Sequence, residues 1–487
     1  MVSLPACSVP LAPGYTVLEE KRDVKFVPGA SPEVDVRADY VLQNTGTAPL
    51  DFIEVKLPPA KSYGRQDSRA EIGGREAAIR ELPEEYRPSS PDVWRIALDA
   101  PWPRKEKRKL TIQYALRDPA DPGWRLTIGA SDFHLGSRGW APILQPPRHA
   151  LSPTPKRPPK SSYTVRVPAG YQVEARGILK KKNAGASEWV YTFQLEKGNL
   201  APFVVAGKYL QTPPDNPDVA SFWTASPPAG DLQAAQSDLQ QAWNTMKTEF
   251  GPSDRDAAAP LIVESASLRD RGDAGGVASA GFPGGALVSP DLLAKGISSA
   301  DFLDAATLAL AHDWFGDGIF PPPFAAISMG DGLPAYATIV MAEARDGEAG
   351  RRRRVADYLA RYDAACREAE EIPLGVVRDS DTREARRIAR AKAPLFYVAL
   401  EDEYGEKPVR TGLRQMATLL RGQEAGVDVM RASLEQTTGK DLAPVFRLWL
   451  YQKGIPTDFR ARYATTPEQH TAAAAPEISV TTNGGSK

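Results

Sequence analysis

Residues 308–318 read LALAHDWFGDG. Two histidines four residues apart lie on one face of a helix. In the pattern His-Glu-x-x-His they hold zinc, and the intervening glutamate acts as general base in metal-dependent hydrolysis. Here the second histidine position is His312, followed by Trp314, Phe315 and Gly316, and the first pair is Leu308 and Ala309. Leu308 cannot donate to a metal, and Ala309 has no proton acceptor. Neighbouring carboxylates do not fill the gap. Asp304 lies eight residues before His312, about 12 Å along a helix at ~1.5 Å per residue, too far when both ligands need ~2 Å to one ion. Asp313 points about 100° around the helix from His312. The chain has four histidines (His134, His149, His312 and His470), which leaves little room for a histidine-rich metal site elsewhere.

The stretch SSADFLDAATLALAHDWFG reads as one helix, with Ser298 or Ser299 as N-cap, and DGLPAYATIVMAEARDG as a second. Upstream, DLQAAQSDLQQAWNTMKTEFG has an acidic start and a glycine stop at Gly251, the signals of an amphipathic helix. APLIVESA reads as a short buried strand, and GGVASAGFPGGALVSP as a glycine-rich turn leading into another. Residues 14–215 have a different texture. In EVDVRADYVLQNTG, Val34, Val36, Ala38 and Tyr40 fall on one strand face before an Asn-Thr-Gly turn. RKLTIQYALRD, SYTVRVPAGYQVEARG and WVYTFQL repeat that alternation, so a β-sandwich is expected. Residues 216–345 are mixed α/β, and 346–463 read as helices. The run Arg351–Arg354 is expected to be the solvated start of one of these helices. The fold class is therefore multidomain α+β.

Composition bounds the reading. A chain of 487 residues is too long for one core. Acidic and basic residues nearly cancel at net −1, so bulk charge gives no support for a nucleic-acid partner or a charged membrane surface. Proline, at 44 residues or about 9 % against a usual ~5 %, favours stiffened loops and strand edges over an all-helical chain. No apolar run reaches the ~18 residues of a membrane span. Segment 1–13 contains LPAC, which resembles the end of a bacterial lipoprotein signal and would place a lipid anchor on Cys7; an ordinary loop with a free cysteine is the other reading. Nothing in the spacing of Cys7 and Cys366 calls for a disulfide. The stretch 464–487 is rich in Ala, Thr and Gly without apolar period and is expected to be disordered.

The order sandwich, mixed domain, helical domain resembles the aminopeptidase N-type zinc peptidases, the gluzincins. AHDWFGD is similar to the stretch that follows their second zinc histidine. Their third ligand, a glutamate, would fall nineteen residues after His312, on Asp331 in SMGDGLPAYA, where Gly332 and Tyr336 fit the family frame. AGKYLQ resembles the end of the family's first domain, and GKDLAPVFRLWLYQKGIPTDFRARY its closing helical segment. The resemblance runs over about 14–463. It implies a thermolysin-like domain at 216–345. It also implies a glutamate that anchors a substrate's amino group, for which the strand Gly275-Gly276-Val277-Ala278-Ser279 is the candidate, with Ala278 at the glutamate position. The family's transition-state tyrosine maps onto Arg390, and Tyr397 looks like part of an aromatic core face with Phe396.

Four components of one inferred pocket are thus substituted: the first ligand (Leu308), the base (Ala309), the amine anchor (Ala278) and the oxyanion donor (Arg390). Loss of one such group costs orders of magnitude in rate. The expected function is a catalytically inactive aminopeptidase N-like protein. It would bind peptide or protein through Gly275, Gly276, Ala278, His312 and Asp331, or serve as an extracytoplasmic scaffold, with no cofactor. The alternative is an active metalloaminopeptidase with a remodelled zinc site drawing on His312 and Asp331. Without a metal, His312 and Asp331 are expected to pair with each other, and Trp314 and Phe315 to pack between the His312 helix and the helix beginning near Asp331.

Overall fold

The strand read from EVDVRADYVLQN forms over Glu33–Asn44, and its apolar positions Val34, Val36, Ala38, Tyr40 and Leu42 are all buried while the intervening residues face outward. The computed structural model describes residues 14–46, 48–82, 93–117, 126–136, 139–145, 161–195, 202–212, 219–253, 259–268, 279–378 and 381–463. Segments 1–13 with Cys7, 464–487, and the candidates Gly275, Gly276 and Ala278 lie outside them.

The Glu33–Asn44 strand sits in an eight-stranded sheet whose spatial order is Ile178–Ala184, Glu188–Leu195, Ser161–Pro168, Tyr15–Val27, Glu33–Asn44, Lys107–Arg117, Gln66–Ile72, Arg75–Ala77. Tyr15–Val27 and Ser161–Pro168 run parallel, whereas Tyr15–Val27 with Glu33–Asn44 and Glu33–Asn44 with Lys107–Arg117 are antiparallel. Two four-stranded sheets share its core. One contributes Ile53, Val55, Ile96 and Leu144, the other Ile128, Phe133, Val173 and Ala206. Alternation at period two explains this layering, since each strand offers one face to the shared core.

A five-stranded sheet follows, in the order Leu210–Thr212, Ser221–Thr224, Leu261–Glu264, Gly285–Val288, Ser279–Phe282. Its three central strands are parallel and its two edges antiparallel. The Leu232–Phe250 helix starts where Asp231 accepts from the Ala234 amide, and it stops at Gly251, whose φ of 91° suits glycine. The Ala300–Ala311 helix starts at Ser299, whose side chain accepts from the Phe302 amide. Contacts divide the chain into two units, one made of 1–322 with 413–430, the other of 323–412 with 431–487. The first holds the sandwich and the five-stranded sheet.

The second unit is helical among its described residues. The Gly332–Cys366 helix breaks its regular backbone at Gly347, with φ 64° and ψ −155°. The Arg383–Tyr404 helix is capped by Thr382, which accepts from the Ala385 amide. The expectation for Arg351–Arg354 needs correction at both ends, since the Arg354 side chain is only 12 % exposed and donates to Thr338. Arg351 is only 5 % exposed and pairs with Glu401 and Asp402. Arg352 and Arg353 do face solvent, pairing with Glu348 and Asp346. Sequence reading missed the burial because a helix beginning after a kink turns only every third or fourth residue inward. Among the described residues no helix is long and apolar enough to cross a membrane.

Candidate functional site

His312 stands at the C-cap of the Ala300–Ala311 helix, still in right-handed helical conformation. Leu308 is half-buried and Ala309 almost fully buried. The strand Ser279–Phe282 lies directly against this end of the helix. A Cβ on Gly281 would collide with the Ala309 carbonyl oxygen and reach 2.6 Å from His312 Cβ, and Ser279 Oγ donates to the Ala305 carbonyl at 2.8 Å. A glycine is therefore required by close approach, because the obstructing atoms belong to backbone that cannot swing away. Gly281→Ala is expected to cost about 1–3 kcal/mol through overpacking. A urea titration followed by circular dichroism measures it, and an unchanged midpoint would contradict the packing.

The residues after His312 are structural. Asp313 is fully buried and accepts from the Gly284 amide at 3.1 Å, with the Arg421 guanidinium 3.8 Å away. Its carboxylate thus ties the turn to the sheet. Trp314 and Phe315 are buried, as expected, but the rings they meet lie on the Leu232–Phe250 helix: Trp314 against Trp243 at 5.0 Å, Phe315 edge-on to Phe250 at 5.2 Å.

In the second unit, Asp331 ends a short π-helical turn, Ala326–Asp331, and precedes the Gly332–Cys366 helix without capping it through its side chain. Its Oδ2 accepts from Arg390 Nε at 2.7 Å. The carboxylate that the sequence reading gave to His312 is therefore held by Arg390. Opposite charges at two altered positions were visible in the sequence; that they would meet was not, because 59 residues separate them. Gly332 is close-packed, since a Cβ there would come 2.7 Å from Ala393 Cβ. Tyr397 is fully buried, as expected. Its hydroxyl donates to the Ser328 carbonyl at 2.7 Å, its ring lies 5.1 Å from Phe396, and burial holds its pKa well above the usual tyrosine value. Tyr336 is also fully buried and donates to Glu401.

Chemically, these residues do not fit a catalytic zinc ion. Such a site needs three protein ligands and an open position. Leu308 and Ala309 supply no donor, and Asp331 is already ion-paired. Among the described residues no group of three or more His, Cys, Asp or Glu side chains is placed to hold a metal.

The fold itself has solved counterparts. An M1 zinc metallopeptidase from Deinococcus radiodurans is 16 % identical and superposes with a TM-score of 0.63 over 91 % of this chain and 95 % of that one. A mutant from the same organism, bound to a Tyr-Ser-Ala substrate, gives the same TM-score and coverage. A further mutant structure reaches 17 % identity with a TM-score of 0.62, over 91 % of this chain and 96 % of that one. No family model and no curated protein matches the chain. The likeness establishes an M1 metallopeptidase fold.

Proposed function

We propose that this chain is a catalytically inactive M1-type protein that binds peptide or protein ligands outside the cytoplasm. The observation that carries the reading is the Arg390–Asp331 ion pair, which engages the carboxylate at the third-ligand position that the resemblance assigns. Leu308 and Ala309 agree with it, because apolar side chains at the first-ligand and base positions avoid burying polar groups that no longer have a metal to meet. A peptide ligand suits a fold whose solved counterpart was captured with Tyr-Ser-Ala. The extracytoplasmic placement, either as a lipid-anchored form or as a scaffold in an assembly there, rests on LPAC ending at Cys7.

The test is metal analysis of the purified full chain together with an amino-acyl fluorogenic substrate panel. The expected outcome is substoichiometric zinc and no chelator-sensitive hydrolysis. Stoichiometric zinc with hydrolysis abolished by chelator would establish the active, remodelled metalloaminopeptidase instead. On the same sample, fluorescence polarisation against a labelled peptide library is expected to find binders whose affinity does not change on adding zinc.

A further inference from the structure

The Arg383–Tyr404 helix of the second unit buries Ala385, Ile388 and Ala389 and turns Arg383, Arg386, Arg387 and Arg390 to the opposite side. Spacings of three, four and seven residues place these four on one stripe. Elsewhere in the unit arginines have an acidic residue four positions away on their own helix, as Arg352 has Glu348 and Arg410 has Glu406. Within this helix neither Arg386 nor Arg390 has an acidic residue three or four positions away. Like charges at these spacings disfavour the helix that carries them, so helix stability does not account for the stripe.

Two of the four find acids on other segments. Arg387 pairs with Glu368, and Arg390 Nε donates to Asp331 Oδ2 at 2.7 Å. Arg386 does not. It is half-buried, makes no ion pair among the described residues, and its Nε is buried without a hydrogen-bond partner. Buried N–H groups are nearly always satisfied, and a guanidinium keeps its charge in a protein. The Arg390 side chain stays 42 % exposed while bonded to Asp331, so a ligand that reaches it meets Arg386 one helical turn away. Asp331 offsets one positive charge of this pair, and the other calls for an anion from outside the chain.

We propose that Arg386, with Arg390 beside it, binds a carboxylate of the peptide ligand, so that the protein selects acidic peptides; this selection rests on the peptide-binding reading and names the ligand class of that same site. Arg390 stands where the resemblance places the oxyanion donor, a position that faces a bound peptide. Arginine suits a carboxylate because its planar fork offers two parallel N–H donors to the two oxygens, which a lysine cannot. A neutral peptide covers Arg386 without pairing it, and desolvating a guanidinium uncompensated is unfavourable.

Fluorescence polarisation of the full chain with two labelled octapeptides tests the selection, one alternating alanine and glutamate, the other alanine and glutamine. The acidic peptide is expected to bind about tenfold tighter, the size of preference that a charge-assisted hydrogen bond supplies, and to weaken as sodium chloride is raised. Arg386→Gln should bring its binding down to the level of the neutral peptide. Arg386→Lys keeps the charge without the fork, should retain only part of the preference, and carries the test if the glutamine variant fails to fold. Arg353→Gln removes the same charge from a solvent-facing residue of the same unit and should keep the preference. Equal affinity of the two peptides, a preference that survives in Arg386→Gln, or competition by heparin as effective as by the unlabelled acidic peptide would overturn the selection and leave the peptide-binding reading standing. A peptide library that yields no binder at all would remove both.

Discussion

Replacing Trp314 with alanine is expected to destabilise the first unit by about 3–5 kcal/mol, the range for removing a buried tryptophan. The ring is fully buried and lies 5.0 Å from Trp243 at an interplanar angle of 59°. Its indole nitrogen donates to the Gly251 carbonyl at 2.8 Å. That carbonyl ends the Leu232–Phe250 helix, so truncation opens a cavity and leaves a carbonyl at a buried helix terminus without its donor. Trp314→Phe separates the two contributions: it keeps most of the apolar volume, loses the hydrogen bond, and should cost less than the alanine variant. Urea unfolding followed by circular dichroism reads both. A loss below about 1 kcal/mol for Trp314→Ala would mean that the ring is not part of a packed interior.

The second large effect is expected at Glu401. Its side chain is 1 % exposed and accepts from Arg410 Nε at 2.7 Å, from Arg351 and from the Tyr336 hydroxyl. Arg351 also reaches Asp402 at 3.3 Å, and Arg410 reaches Glu343 and, at 2.7 Å, Glu406. Burial alone would lower the pKa of either arginine, but Glu401 together with the groups bonded to each guanidinium outweighs it and leaves both raised. Burial and the neighbouring carboxylate likewise hold the Tyr336 hydroxyl well above its usual value. Removing Glu401 leaves two buried guanidinium groups short of their central acceptor. A buried ion pair broken from one side costs about 3–5 kcal/mol, and Glu401→Ala is expected to lose that much. Glu401→Gln keeps the shape and part of the hydrogen bonding but not the charge, and should lose less. Exchanging Arg351, Glu401 and Arg410 together for apolar residues of similar size is expected to recover much of the loss, since a well-packed apolar group avoids the desolvation of all three. Equal stability of Glu401→Ala and the parent in urea unfolding would show that the network contributes nothing.

Signals that act over a few residues are legible in this sequence, and those that act across the fold are not. Alternation over Glu33–Asn44, the caps at Asp231 and Ser299, and the stop at Gly251 were legible because each is a local arrangement that a few neighbouring residues decide. The burial of Trp314, Phe315 and Tyr397 was legible as well, since large apolar side chains are rarely left in water. The helix that covers Trp314 was not. Trp314 and Gly251 are 63 residues apart, and which face closes over the ring depends on how the intervening strands order themselves in the sheet.

The same division holds for the candidate site. What positions 308 and 309 cannot do was determined by the sequence alone: no surroundings make leucine a metal donor or alanine a base, because that incapacity belongs to the residue type. What Asp331, Arg351 and Arg390 do was decided only by the tertiary structure. A carboxylate can bind a metal, cap a helix or pair with a guanidinium, and a guanidinium can face water or sit in a core. The choice depends on which opposite charge the folded chain brings within hydrogen-bond reach. For Asp331 that is Arg390 at 2.7 Å, and for Arg351 it is Glu401, 50 residues along the chain.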